Sequence, residues 1–137
     1  ARSLASFNAD HLRPVARAAD WKETAIEPDL SVTYSGRTYA LLSASEQWRA
    51  RTTLAVAMAL SEGHKIVALD GADILDQAGR GGLIQMLVAL DMTAVVGMTM
   101  NAREKAPDLA KMGVGRSYWI ASGIATPLQG VAASKAP

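Results

Sequence analysis

The chain places two groups of chemically capable residues in order. Ser43 and Ser45, in Leu42-Ser43-Ala44-Ser45-Glu46-Gln47, form a polar turn that opens a helix. Further along, the apolar run Lys65-Ile66-Val67-Ala68-Leu69 ends in Asp70. A helix N-terminus presents unpaired N–H groups and the positive end of the helix dipole, so a serine turn there can grip a phosphate. A strand that delivers a carboxylate to a sheet edge can hold a metal ion beside phosphates. Each group also has a plainer use. Ser43 lies three residues before Glu46, the spacing of a capping box, and caps the helix with or without a ligand. Asp70, next to Gly71, can cap a turn. Asp73 and Asp76 follow in the same loop, and carboxylates this close repel one another unless solvated or shared with a cation, which favours the metal reading.

Other candidates carry less. Arg80, between Gly79 and Gly81-Gly82, reads as a flexible basic turn before a helix, but no G-x-x-x-x-G-K-[ST] pattern surrounds it. His11 and His64 are far apart and share no ligand spacing, so they do not suggest a metal site. Met86, Met92, Met98 and Met100 read as core filler.

Composition narrows the classes. The 137 residues amount to one domain or less, and an apolar fraction of 50% suffices for a core. A net charge of +1 lacks the excess of a strongly basic nucleic-acid binder. With no cysteine, thiol catalysis and thiolate zinc sites are excluded. The apolar stretches are broken by Asp, Glu, Gly or Lys, so no span through a membrane and no signal peptide is read, and a cytoplasmic location is expected.

The elements that must position the two groups follow from pattern. Residues 3–18 have a helical rhythm interrupted at Pro14, which predicts a kink. Residues 21–29 read as a mixed connection. Leu30, Val32 and Tyr34 alternate with polar residues, as do Tyr39 and Leu41 beyond Ser35-Gly36, which predicts a hairpin. A helix from Ser43 should stop near Gly63. Residues 65–69 and 93–98 read as strands buried on both faces, joined by a helix through Leu83, Met86, Leu87 and Leu90, and expected to lie side by side in parallel. A weak helix is expected over 102–112, with short strands at 117–121 and 124–128 around Gly123 and a loose tail over 129–137. Strands alternating with helices give an α/β class.

In order and spacing, these motifs resemble a known family. Leu42-Ser43-Ala44-Ser45-Glu46 resembles the signature motif of ABC-type ATPases, above all the heads of SMC and RecF-like DNA-repair ATPases. Ile66-Val67-Ala68-Leu69-Asp70 resembles their Walker B strand. Asp70-Gly71-Ala72-Asp73-Ile74-Leu75-Asp76 resembles the run from Walker B to the D-loop, and residues 93–98 stand where the switch strand stands. The likeness covers about residues 30–128.

The resemblance implies the C-terminal half of a P-loop NTPase head: α/β, a mainly parallel sheet with flanking helices, and an N-terminal β-hairpin. Residues 1–20 would end a helical, coiled-coil arm, 30–128 form the lobe core, and 129–137 the tail. ATP and Mg²⁺ are the implied cofactors. Ser43, with Ala44, Ser45 and Glu46, would meet the γ-phosphate of ATP held by a partner head; Asp70 would take the Mg²⁺ role and Asp76 the D-loop role. The implied partners are an N-terminal lobe carrying Walker A, a second head in a homodimer, and DNA.

The departures bear on activity. The catalytic glutamate that follows the Walker B aspartate in the family is Gly71 here, leaving Asp73 as the nearest candidate base. A glutamate at position 71 is therefore expected to raise turnover. Thr99 or Met100 stands where the switch histidine is expected, Ala44 and Ser45 replace the motif's glycines, and no Walker A loop occurs in these residues. The chain alone is not expected to bind or hydrolyse ATP. The alternative is an ABC-like scaffold or dimerisation module without hydrolysis.

Overall fold

The computed structural model describes residues 3–128, a mixed α/β arrangement whose backbone parts into two units between Met98 and Thr99.

The first unit begins with α1 (Leu4–Phe7), a π-helical turn over Asn8–Leu12, and α2 (Arg13–Ala18). The irregularity foreseen at Pro14 takes the form of this π turn. Pro14 has no N–H to donate, and its ring would crowd the carbonyl one turn back. The N–H of Arg13 reaches instead to the Asn8 carbonyl, widening the helix just before the proline. The turn is also a fastening point. The Asn8 side chain donates to the Ile26 carbonyl and accepts the Ile26 N–H, both at 2.9 Å.

Ile26 belongs to β1 (Thr24–Ile26), which pairs antiparallel with β2 (Val32–Tyr34), itself paired with β3 (Arg37–Thr38). The expected hairpin is present. Ser35 at φ 53° and Gly36 at φ 75° form its two-residue turn, whose twist matches that of the strands. Two details differ from the sequence reading. Residues 24–26 are a strand, and Tyr39–Leu41 is a single 3₁₀ turn.

α3 runs Ala44–Ser61 and closes at Gly63, whose φ of 79° supplies the left-handed residue past the helix end. β4 (Ile66–Leu69) and β5 (Thr93–Val96) pair in parallel, with Ile66 opposite Thr93 and Leu69 opposite Val96. Between them α4 (Gln77–Ala89) forms the crossover. Leu12, Val15, Trp48, Val56, Leu69 and Met86 are among the side chains of the main core, to which α2, α3, α4 and β4 all contribute.

Two expectations about this sheet are corrected. Of the seven strands among the described residues, only β4 and β5 pair in parallel, so the sheet structure is not mainly parallel. Nor are these strands buried on both faces. Val67 and Leu69 point into the core, while Ile66 and Val95 are each 72% exposed.

In the second unit the helix expected over 102–112 is absent. A 3₁₀ turn spans Arg103–Lys105, and Pro107 then removes a donor and crowds the preceding turn. Ser117 gathers the loop, donating to the Pro107 carbonyl at 2.6 Å and accepting the Leu109 N–H at 3.4 Å. β6 (Tyr118–Ala121) and β7 (Ile124–Pro127) form an antiparallel hairpin around Ser122 and Gly123, at φ 52° and 76°. The tail expected over 129–137 lies outside the described residues.

Candidate functional site

Ser43 is the N-cap of α3 and the box is complete. Its hydroxyl accepts the Glu46 N–H at 3.3 Å, and the Glu46 carboxylate accepts the Ser43 N–H at 3.0 Å. Ala44 begins the helix, and the Ser45 hydroxyl lies 3.4 Å from that of Ser43. The four residues proposed from sequence as a phosphate-facing group therefore share one helical turn. Arg37, at the start of β3, pairs with Glu46 at 3.3 Å and donates to the Leu41 carbonyl at 2.8 Å, tying the hairpin to the cap. The Ser43 N–H, then its hydroxyl, hold the Glu46 carboxyl below the usual glutamate range, with Arg37 adding a smaller pull.

Asp70 stands at the C-terminal end of β4, exposed. Its Oδ1 accepts the N–H of Gly71 at 2.9 Å. Gly97, just past β5, faces it closely: a Cβ there would come within 2.5 Å of Asp70 Oδ1. The two strand ends are joined by backbone as well, with the Gly97 N–H on the Leu69 carbonyl at 2.7 Å and the Ala72 N–H on the Gly97 carbonyl at 3.1 Å.

The serine turn and the strand end are connected by a residue that no sequence motif marks. Trp48, on α3 and buried, donates its indole N–H to the Asp70 carbonyl at 2.8 Å. Its ring packs edge-on to Trp21, with centroids 6.3 Å apart. The next residue, Arg49, reaches Asp76 at 3.9 Å, a long and solvated pair that contributes little by itself. Neither link has a spacing signature, because each joins residues far apart in the chain. A glycine right after a strand is a weak cue for close backbone approach, and Gly97 fits it.

Asp73 is exposed on the 3₁₀ turn Ala72–Ile74. Asp76 N-caps α4, its Oδ1 accepting the Gly79 N–H at 2.7 Å. The loop thus spreads its carboxylates over separate tasks, and among the described residues no group of three or more acids or histidines is placed to hold a metal ion. Gly71 has φ 78°, the left-handed region that favours glycine. A glutamate at that position would have to adopt this backbone beside the Trp48 indole.

The glycine-rich run around Arg80 is corrected. Gly79 to Gly82 lie inside α4, which starts at Gln77 rather than after Gly82. Gly82 lets the helix rest on the backbone of Ala19, whose oxygen would be 2.2 Å from a Cβ. Gly79 and Gly82 serve close packing rather than a phosphate loop.

No protein-family model matches the chain, and no curated protein matches it. Among the described residues no helix is long and apolar enough to cross a membrane.

Proposed function

We propose that this chain is the C-terminal lobe of an ATPase head of the ABC type, of the SMC and RecF-like group, which pairs around ATP and Mg²⁺ in DNA repair or chromosome maintenance. One observation carries the reading. A serine-capped helix is fastened by Trp48 to the C-terminal end of a parallel strand bearing an exposed aspartate. The C-terminal ends of parallel strands are where open α/β sheets bind their ligands.

The donor this reading assigns to a hard cation is a single carboxylate. Asp70 offers oxygen, its Oδ1 is oriented by the Gly71 N–H, and Gly97 leaves the carboxylate the room it occupies. Mg²⁺, when bound, would supply positive charge that neutralises developing phosphate charge. Asp70 would hold that ion, and Ser43 with the N-terminal turn of α3 would meet the phosphate of a nucleotide held by the paired head. Asp76 shapes the loop that the paired head would face.

The bare face of β4 and β5 supports a partner lobe. Parallel sheets are ordinarily covered on both faces, and here Ile66 and Val95 lie open. A lobe carrying the Walker A loop would supply both that cover and the phosphate cradle.

A second reading, a head that pairs but hydrolyses slowly or not at all, is favoured by Gly71. Its left-handed backbone stands where a base is required, and Asp73 remains the candidate to position water. The test is nucleotide-driven pairing of the complete protein, followed by light scattering. Ser43→Arg should abolish pairing, and Asp70→Asn should remove its dependence on Mg²⁺. Pairing that ignores both changes would refute the proposal.

A further inference from the structure

We infer that Trp48 is a positioning residue that couples the two nucleotide sites of a paired head, an inference that rests on the function proposed above. Ser43 and Asp70 would serve different nucleotides: Ser43 the one bound by the partner head, Asp70 the one bound by its own. Trp48 touches the machinery of both. It sits five residues beyond Ser43 on α3, about 7.5 Å along the axis, so the cap and the indole move together. Its N–H holds the Asp70 carbonyl at 2.8 Å. That carbonyl belongs to the residue whose carboxylate accepts the Gly71 N–H and lies over Gly97.

The indole has little freedom to absorb a displacement. It is 5% exposed, with Trp21 edge-on against it. Close-packed side chains transmit strain rather than dissipating it. A shift of α3 when its N-terminus engages a phosphate therefore reaches the Asp70 main chain through one hydrogen bond, and the carboxylate follows. By linkage, the effect runs equally in reverse: Mg²⁺ on Asp70 biases α3 toward the position that grips the partner's phosphate.

The decisive change removes one hydrogen atom's worth of chemistry. Benzothienylalanine at position 48 has sulfur in place of the indole N–H and nearly the same shape, so the core stays filled. In the complete protein, Mg²⁺ is titrated against pairing at saturating non-hydrolysable ATP analogue, and the analogue is titrated at saturating and at vanishing Mg²⁺. The substitution should raise the half-saturating Mg²⁺ concentration about tenfold, the size expected when the support of a metal-orienting group is lost, and by linkage raise the analogue's half-saturation at saturating Mg²⁺ by the same factor, while at vanishing Mg²⁺ the analogue titrates within about twofold of wild type. Trp48→Phe, which keeps a ring but loses volume, should show the same Mg²⁺-dependent shift. A merely structural role would weaken the analogue equally at vanishing Mg²⁺, or move nothing, and would overturn the inference. If Asp70→Asn abolishes Mg²⁺ dependence while both Trp48 variants titrate like wild type, the coupling fails and the site survives. If wild type shows no Mg²⁺-dependent pairing at all, the functional reading falls and this inference with it.

Discussion

Replacing Gly97 by alanine tests the geometry around Asp70 without a ligand. The added Cβ would lie 2.5 Å from Asp70 Oδ1 and 3.4 Å from its Cγ. The carboxylate must therefore withdraw by roughly 0.5–1 Å, an overpacking distortion whose cost is about 1–2 kcal/mol. It cannot withdraw freely, because Oδ1 is held by the Gly71 N–H at 2.9 Å. Gly97 is not in the left-handed region, so alanine brings no backbone strain and lowers the entropy of the unfolded chain, a gain of about 0.4–1 kcal/mol. Gly97→Ala alone should then destabilise the 137-residue chain modestly, by about 1 kcal/mol. With Asp70→Ala in place the clash is gone, and the same change should become neutral or stabilising. Urea unfolding followed by tryptophan fluorescence gives all four corners of the cycle. A coupling of about 1–2 kcal/mol is expected, and additivity within about 0.5 kcal/mol would refute the contact.

Gly82→Ala should be among the most damaging single-methyl additions, costing about 3 kcal/mol in thermal denaturation, since its neighbour at 2.2 Å is a backbone oxygen that cannot rotate away. Ser43→Ala should cost about 1 kcal/mol by loss of the cap, while Ser43→Asp, which also caps, should retain most of that stability. Gly71→Glu should destabilise by about 1–2 kcal/mol on unfolding, with the left-handed backbone as the cause, and Gly71→Ala should lose a similar amount. The Glu46 carboxyl titrates lower in the fold than in the unfolded chain, so its contribution is full above about pH 4.3 and drains as the pH falls through the folded value. Melting temperatures from pH 6 to 2.5 should therefore fall more steeply for wild type than for Glu46→Gln; parallel curves would contradict it.

Local chemistry made much of this fold legible. The capping box is written in Ser43 and Glu46, the hairpin in Ser35-Gly36, and the helix stop in Gly63, because each depends on residues within one turn of itself. The parallel pairing of residues 66–69 with 93–96 was readable from two apolar runs and the helix between them. Errors arose where pattern underdetermines packing. Ile66 and Val95 look like buried strand residues, but which face is covered depends on what else packs there. Gly79 to Gly82 look like a loop by composition, whereas Ala19 and Trp21 require the smallness of Gly82 within a helix. Around the candidate site, the cap at Ser43 and the strand ending at Asp70 are legible locally, but the links Trp48–Asp70 and Arg49–Asp76 are tertiary and leave no periodic trace.

Gly71 bears most directly on whether the proposed head turns over. The residue is left-handed, its N–H is spent on the Asp70 carboxylate, and the chain then enters a 3₁₀ turn that buries Ala72 and Leu75. The Asp70 carbonyl on its other side is held by Trp48. This turn is held on both flanks, and its backbone conformation favours glycine at position 71. A glutamate inserted there would either accept strain or unmake the turn that orients Asp70. Hydrolysis in the proposed head, where it occurs, therefore depends on a group other than residue 71, with Asp73 two positions on as the candidate. In the proposed reading the same turn leaves Ser43, Asp70 and Trp48 to serve nucleotide-dependent pairing, a function that needs no base.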